Sequence, residues 1–322
     1  MPVKKQLVHF LAFLIPLTLV LAACTPAATM PPAGTVAPAP NASRAPSVTV
    51  PPAPSATAAP SALHFAVIGD FGEGSQGEAD VAALIHGWNP DFVITVGDDN
   101  YPSGAADTID AHIGQYYHDY ISPYKGTYGP GASENRFFPT LGNHDWLTAG
   151  AQPYMDYFTL PGNGRYYEFA AGPVHFFALD SDEHEPDGVG KSSIQAGWFK
   201  KAIAASTSTW NVVYFHHAPY SSGAVHGNTT WMQWPFKDWG ASVVLTGHEH
   251  TYERLLVDGL TYFVNGVGGG PIYNFGTPLP ESQFRYDADY GAMLITATPA
   301  EMDFAFYDRK GELIDSTKLT RP

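Results

Sequence analysis

The chain reads as an α/β protein on three observations: short apolar runs that stop at Gly-Asp or Gly-Asn turns, a helical stretch between the first two runs, and metal-type side chains gathered where the runs end. Leu63-His64-Phe65-Ala66-Val67-Ile68 is the first strand, stopping at Gly69-Asp70-Phe71-Gly72, and a helix follows from about Glu78 to His86. Asp91-Phe92-Val93-Ile94-Thr95-Val96 is the second strand, stopping at Gly97-Asp98. This is a βαβ unit, which sets Asp70 and Asp98 side by side at the carboxyl edge of a parallel sheet, where ligand sites gather.

The pattern continues. Phe137 to Leu141 runs into Gly142-Asn143-His144-Asp145, Asn211 to Phe215 into His216-His217-Ala218-Pro219, and Ala241 to Thr246 into Gly247-His248-Glu249-His250. Between them, Tyr166 to Phe169 and Val174 to Leu179 predict paired strands of a second sheet, and Ser193 to Ala205 a covering helix. After Thr261 the expectation is short strands alternating with Gly-rich turns. One Asp behind a strand is usually a turn former or helix cap. Five runs ending in Asp, Asn and His are not explained that way, because cation sites need ligands aimed at one point from rigid strand ends.

Composition narrows the chemistry. With 16 Lys+Arg against 31 Asp+Glu, the net charge of -15 argues against nucleic acid, whose backbone needs a basic face, so an anionic substrate must be attracted locally. The single cysteine, Cys24, leaves no intrachain disulfide or thiolate cluster, which points to His and carboxylate ligands.

Residues 1–23 have the layout of a secretory signal peptide, with Lys4 and Lys5 ahead of an apolar run from Leu7 to Ala23. Leu21-Ala22-Ala23-Cys24 resembles the lipobox of bacterial lipoproteins, which implies cleavage before Cys24, its diacylation, and an exported protein at the cell surface or in the periplasm, held to the membrane only by that lipid. An ordinary signal peptide or an uncleaved anchor helix exports the chain equally. Residues 24–61 are almost wholly Pro, Ala, Thr, Ser and Val with Arg44 the only charge, a composition that reads as a tether. At about 3.1 Å per residue it reaches up to roughly 100 Å. Residues 62–322 show no composition break and are read as one domain.

The series Asp70-Phe71-Gly72, Gly97-Asp98-Asp99-Asn100-Tyr101, Gly142-Asn143-His144-Asp145, His217-Ala218-Pro219 and Gly247-His248-Glu249-His250 resembles the five motif blocks of calcineurin-like metallophosphoesterases, in particular their purple acid phosphatase branch. Tyr101, three residues after Asp98, marks that branch, as does Gly72 where other branches place a metal-binding histidine. The resemblance implies a four-layer α/β/β/α sandwich of two mixed sheets flanked by helices. It implies two metal ions: Fe(III) on Asp70, Tyr101 and His250, a second Fe(II), Zn or Mn on Asn143, His217 and His248, and Asp98 bridging them. His216 competes with His217 for one ligand place; the His-x-Pro pattern favours His217. The resemblance further implies that His144 and His226 line the substrate phosphate and assist protonation of the leaving oxygen, with a metal-bound hydroxide as nucleophile. The expected activity is that of an acid phosphatase on small phosphate monoesters. A phosphodiesterase of the same fold is the alternative, and a surface lipoprotein that only binds phosphate the third reading.

Overall fold

The computed structural model describes residues 62–321; the expected signal peptide, Cys24 and tether lie outside the described residues. The first sheet holds β1 (Leu63–Ile68), β2 (Phe92–Thr95), β3 (Phe137–Phe138), β11 (Gly291–Ala297), β12 (Glu301–Asp308) and β13 (Leu313–Thr320), in the order β13-β12-β11-β1-β2-β3. The second holds β4 (Tyr167–Ala171), β5 (Val174–Ala178), β6 (Trp210–His217), β7 (Val243–Gly247), β8 (Tyr252–Val257), β9 (Leu260–Asn265) and β10 (Ser282–Tyr286), in the order β10-β8-β9-β7-β6-β5-β4. Both are mixed: β1, β2 and β3 run parallel, as do β5, β6, β7 and β9, and the remaining pairings are antiparallel.

Alternation along each central strand explains the layering. Leu63, Phe65 and Val67 of β1 point into a core shared with Phe176, Val212, Tyr214, Val243 and Leu245 of the second sheet. Ala66 and Ile68 point the other way, under Val81, Ala82 and Ile85 of helix α1 (Gln76–Trp88). On the far side, Val213, Phe215 and Val244 pack against Phe199 and Ile203 of helix Ile194–Ala205. Strands covered on both faces are apolar at nearly every position, which is why β1, β2 and β7 read as continuous hydrophobic runs. The result is the four-layer sandwich the resemblance implied.

The helix ends follow local chemistry. Ser75 caps α1 by accepting from the Glu78 amide, and Asn89 ends it in the left-handed conformation, so α1 extends two residues beyond the expected span at each end. Ser193 caps the second long helix in the same way. Two expectations change. The run Phe137 to Leu141 forms only the two-residue β3, because Thr140 leaves the ladder to bind Thr95 of β2 through its hydroxyl. The tail after Thr261 is not made of short strands: β12 and β13 are eight residues each and complete the first sheet beside β11.

Candidate active site

The carboxyl ends of β1, β2 and β3 in one sheet meet those of β6 and β7 in the other, and the motif residues converge at that junction. The loops after β1 and β2 stay paired beyond the strands, through the Asp70 amide on Gly97 O (3.0 Å) and the Phe71 amide on Asp98 O (3.3 Å). Asp70, Asp98 and His248 have φ of 54°, 52° and 71°. Left-handed backbone at non-glycine residues costs energy and gathers at functional sites, where it aims side chains that a regular strand would direct elsewhere.

Two groups of ligand atoms share Asp98: Asp70, Asp98 and His250 on one side, Asp98, His216 and His248 on the other, each with its atoms within 4.8 Å of one another. On the first side the Tyr101 hydroxyl donates to Asp98 Oδ2 (3.0 Å) and lies 2.9 Å from His250 Nε2 and 3.4 Å from Asp70 Oδ1. On the second, His216 Nε2 lies 3.1 Å from Asn143 Oδ1, 3.3 Å from Asp98 Oδ2 and 3.1 Å from His248 Nδ1. His216 Nδ1 is held by Val96 O (2.9 Å) and His250 Nδ1 by Pro271 O (2.7 Å), which turns each Nε2 to the site. Backbone carbonyls orient metal-binding imidazoles in this way.

Of the expected residues, Asp70, Asp98, Tyr101, Asn143, His248 and His250 come together. His217 stands outside both groups, and His216 takes the place expected for it. β6 alternates, so His216 continues the inward phase of Val212 and Tyr214 into the space between the sheets. A register irregularity lies between Tyr214 and His217; the His217 Nδ1 meets Ser181 Oγ (2.9 Å) and its ring lies between those of His248 (4.3 Å) and Trp231 (5.9 Å), at the rim of the second group. His144 and His226 both flank the cluster: the His144 ring lies 4.5 Å from that of Tyr101 and its amide donates to Asp98 Oδ1 (2.8 Å), while the His226 ring stacks on His248 at 3.9 Å.

The electrostatics call for cations. Burial alone raises the Asp98 carboxyl, but charged His216, then His144 and His248, outweigh it and hold the group far below the usual carboxylate range. Burial opposes charge on His216, yet Asp98 and Asp70 push it up to about 10. The Tyr101 phenol is pushed well up by burial and by Asp98 and Asp70. Protons on His216 and Tyr101 thus sit where positive charge is most favoured, and a metal ion replaces such protons on binding. The donor set of carboxylates, phenol, amide oxygen and imidazoles suits hard and borderline cations, so the residues present fit two metal ions.

Sequence reasoning passed over three groups. Asp99 and Asp145 are buried behind Asp98, where Asp145 accepts from the Asp99 and Gly142 amides, and burial followed by Asp98 raises its carboxyl to about 7. Glu249, between His248 and His250, is fully buried; its place inside the motif was the available signal. Tyr273 stacks on His250 at 4.1 Å and 5°. Nothing local in the sequence marks it.

The fold and the two linked ligand groups define the class: a binuclear, metal-dependent phosphoester hydrolase. The Calcineurin-like phosphoesterase family model matches residues 63–252, more than half of the chain, and the chain belongs to that family. Among curated relatives it is similar to mouse tartrate-resistant acid phosphatase type 5, 23% identical over 303 residues that cover 80% of this chain and 90% of the relative. Arabidopsis thaliana purple acid phosphatase 3 is 26% identical over 294 residues, covering 80% and 77%. Of solved structures, purple acid phosphatase PPD1 from yellow lupin seeds superposes with a TM-score of 0.67 at 18% identity, over 81% of this chain and 54% of that one. GAP50, the anchor in the inner membrane complex of Plasmodium, superposes with a TM-score of 0.62 at 19% identity, over 81% and 89%. These two likenesses concern the fold.

Proposed function

We propose that the chain is an exported acid phosphatase that hydrolyses small phosphate monoesters, anchored outside the cell through Cys24. The observation that carries the reading is the buried Asp98 carboxylate shared by two ligand groups, with the Tyr101 hydroxyl on one side only. The phenol supports Fe(III) as the ion that Asp70, Asp98, Tyr101 and His250 would hold, because replacing a proton held so firmly takes a strongly acidic ion. Asp98, Asn143, His216 and His248 would hold the second ion, Fe(II), Zn or Mn. When bound, such a pair supplies Lewis acidity and offsets the charge that develops in an in-line phosphoryl displacement.

The protein's own groups do the rest. Asp98 ties the two sides at a fixed spacing, and the backbone at Asp70, Asp98 and His248 is preset, so little reorganisation accompanies substrate binding. His144 and His226 flank the cluster and donate to phosphate oxygens, and His226 delivers a proton to the leaving oxygen. Local positive charge at this one place is what draws an anionic ester to a chain with a net charge of -15.

The test is the rate at which chain purified without chelator hydrolyses para-nitrophenyl phosphate and its bis ester between about pH 5 and 8. Preference for the monoester on the acid side, abolished in Asp98→Ala, supports the proposal. Preference for the diester makes it a phosphodiesterase, and no turnover of either ester with metals restored makes it a phosphate-binding surface protein. The anchor is tested separately: Cys24→Ser moves the chain from the membrane fraction to the soluble exported fraction, and unchanged membrane association sinks that part.

A further inference from the structure

The loop that carries His226 is rich in serine and glycine: Ser221, Ser222, Gly223, Gly227. By composition it is mobile, yet two fully buried carboxylates fasten it. Glu249 Oε1 accepts from the amides of His226 (2.5 Å) and Gly227 (2.6 Å), on either side of the imidazole's attachment point. Glu253 accepts from the Ser222 amide (2.7 Å) and from the hydroxyls of Ser222 (2.5 Å) and Ser282 (2.6 Å). Gly223 lies against the same Glu249 carboxylate so closely that a Cβ there would stand 2.1 Å from Cδ. The loop is stitched on its other side to the segment bearing Tyr273, through Ala224 N on Asn274 O (3.1 Å) and Gly276 N on Ser222 O (2.8 Å).

Glu249 stands between His248 and His250, so its backbone is fixed by the two motif histidines while its side chain reaches away from them to the loop. We infer that Glu249 is a positioning residue: its carboxylate ties the His226 loop directly to the His248-Glu249-His250 turn and thereby sets the His226 imidazole against His248 and over the substrate phosphate. No local feature of the loop supplies that order, because glycine loses more conformational freedom on being fixed than any other residue and His226 makes no side-chain hydrogen bond among the described residues. The second oxygen of Glu249 is buried with no hydrogen-bond partner, so the carboxylate's retention there is not explained by its own satisfaction. Glu253 holds the start of the loop and Glu249 holds its reactive end.

The inference rests on the phosphatase reading for its kinetic consequence and stands apart from it structurally, so two readouts are taken on the metal-loaded full chain. Wild type, His226→Ala, Glu249→Ala, Glu249→Gln and the Glu249→Ala/His226→Ala double variant are compared for amide hydrogen exchange at residues 226 and 227, and for kcat and KM on para-nitrophenyl and phenyl phosphate. In Glu249→Ala these amides exchange at least about tenfold faster. Glu249→Gln restores slow exchange, because its amide oxygen still accepts both bonds. Glu249→Ala loses kcat by about the same factor as His226→Ala, on the order of 10²-fold, with the larger loss on phenyl phosphate, whose leaving oxygen needs the proton more. The double variant is no slower than His226→Ala. Slow exchange persisting in Glu249→Ala, or losses that multiply in the double variant, overturns the inference. If Glu249→Ala fails to fold or loses a cation, Gly223→Ala pushes the same carboxylate aside from the loop, and slow amides in that variant overturn it equally. A wild-type chain with slow amides and no turnover of either ester sinks the phosphatase reading alone.

Discussion

His216 Nε2 lies 3.3 Å from Asp98 Oδ2 with both side chains buried, while the adjacent His217 binds Ser181 Oγ through Nδ1 and sets its ring between those of His248 and Trp231. Two neighbouring histidines therefore have separable roles. His216→Ala releases one of two cations per chain and His217→Ala keeps both, as read by elemental analysis of chain purified without chelator. Loss of a cation in His217→Ala with retention in His216→Ala would reverse the assignment.

Tyr101 touches Asp98, Asp70 and His250 through one hydroxyl oxygen. If iron occupies that side, Tyr101→Phe removes the visible absorption band of the iron-loaded protein and leaves the iron content unchanged, because three ligands remain. The absorption spectrum of the variant decides it, and persisting colour places the chromophore elsewhere.

Asp110 sits in the segment after the Tyr101 motif and gathers hydroxyls from Tyr124 (2.6 Å) and Tyr157 (2.8 Å) and the Thr127 amide (2.9 Å). Burial alone raises its carboxyl, but these hydrogen bonds outweigh burial and hold it below the ordinary value. A depressed folded-state value means stability that is present above the unfolded pKa of about 3.9 and fades as pH falls through the folded one. Asp110→Asn therefore costs about 1 kcal/mol near neutrality, since solvent screens this partly exposed group and the variant's amide oxygen still accepts, and the difference from wild type narrows below about pH 4. Urea midpoints at a series of pH values measure this; a difference that grows toward acid contradicts it.

Gly72 passes so close to the next loop that a Cβ would stand 1.7 Å from the carbonyl oxygen of Asp99. That oxygen belongs to the backbone immediately after Asp98 and has nowhere to retreat. Gly72→Ala costs at least about 3 kcal/mol, seen as a lowered unfolding midpoint. The same contact explains why a histidine has no room at this position.

The sequence alone determined the strands that carry the chemistry and most of the side chains at their ends. β1 and helix α1 were legible because an unbroken apolar run ends at a Gly-Asp turn with a helical stretch behind it; the Ser75 cap and Asn89 stop, which set the helix ends two residues further out on each side, came from the structure. Asp70, Asp98, Asn143, His248 and His250 were legible because each follows such a run directly, and Tyr101 because its spacing from Asp98 marks a known pattern. Tertiary structure decided what depends on which strands become neighbours. It divided the five strand ends between two sheets and sent the tail back as β11, β12 and β13 to complete the first. It set His216 Nε2 within reach of Asp98, Asn143 and His248 while His217 Nδ1 meets Ser181, a difference of strand phase that the spacing to the nearby proline does not contain. It also joined Glu249 to a loop more than twenty residues earlier in the chain. Sequence spacing records a side chain's strand and its place along it; only the packed sheets fix which way that side chain points and what it meets.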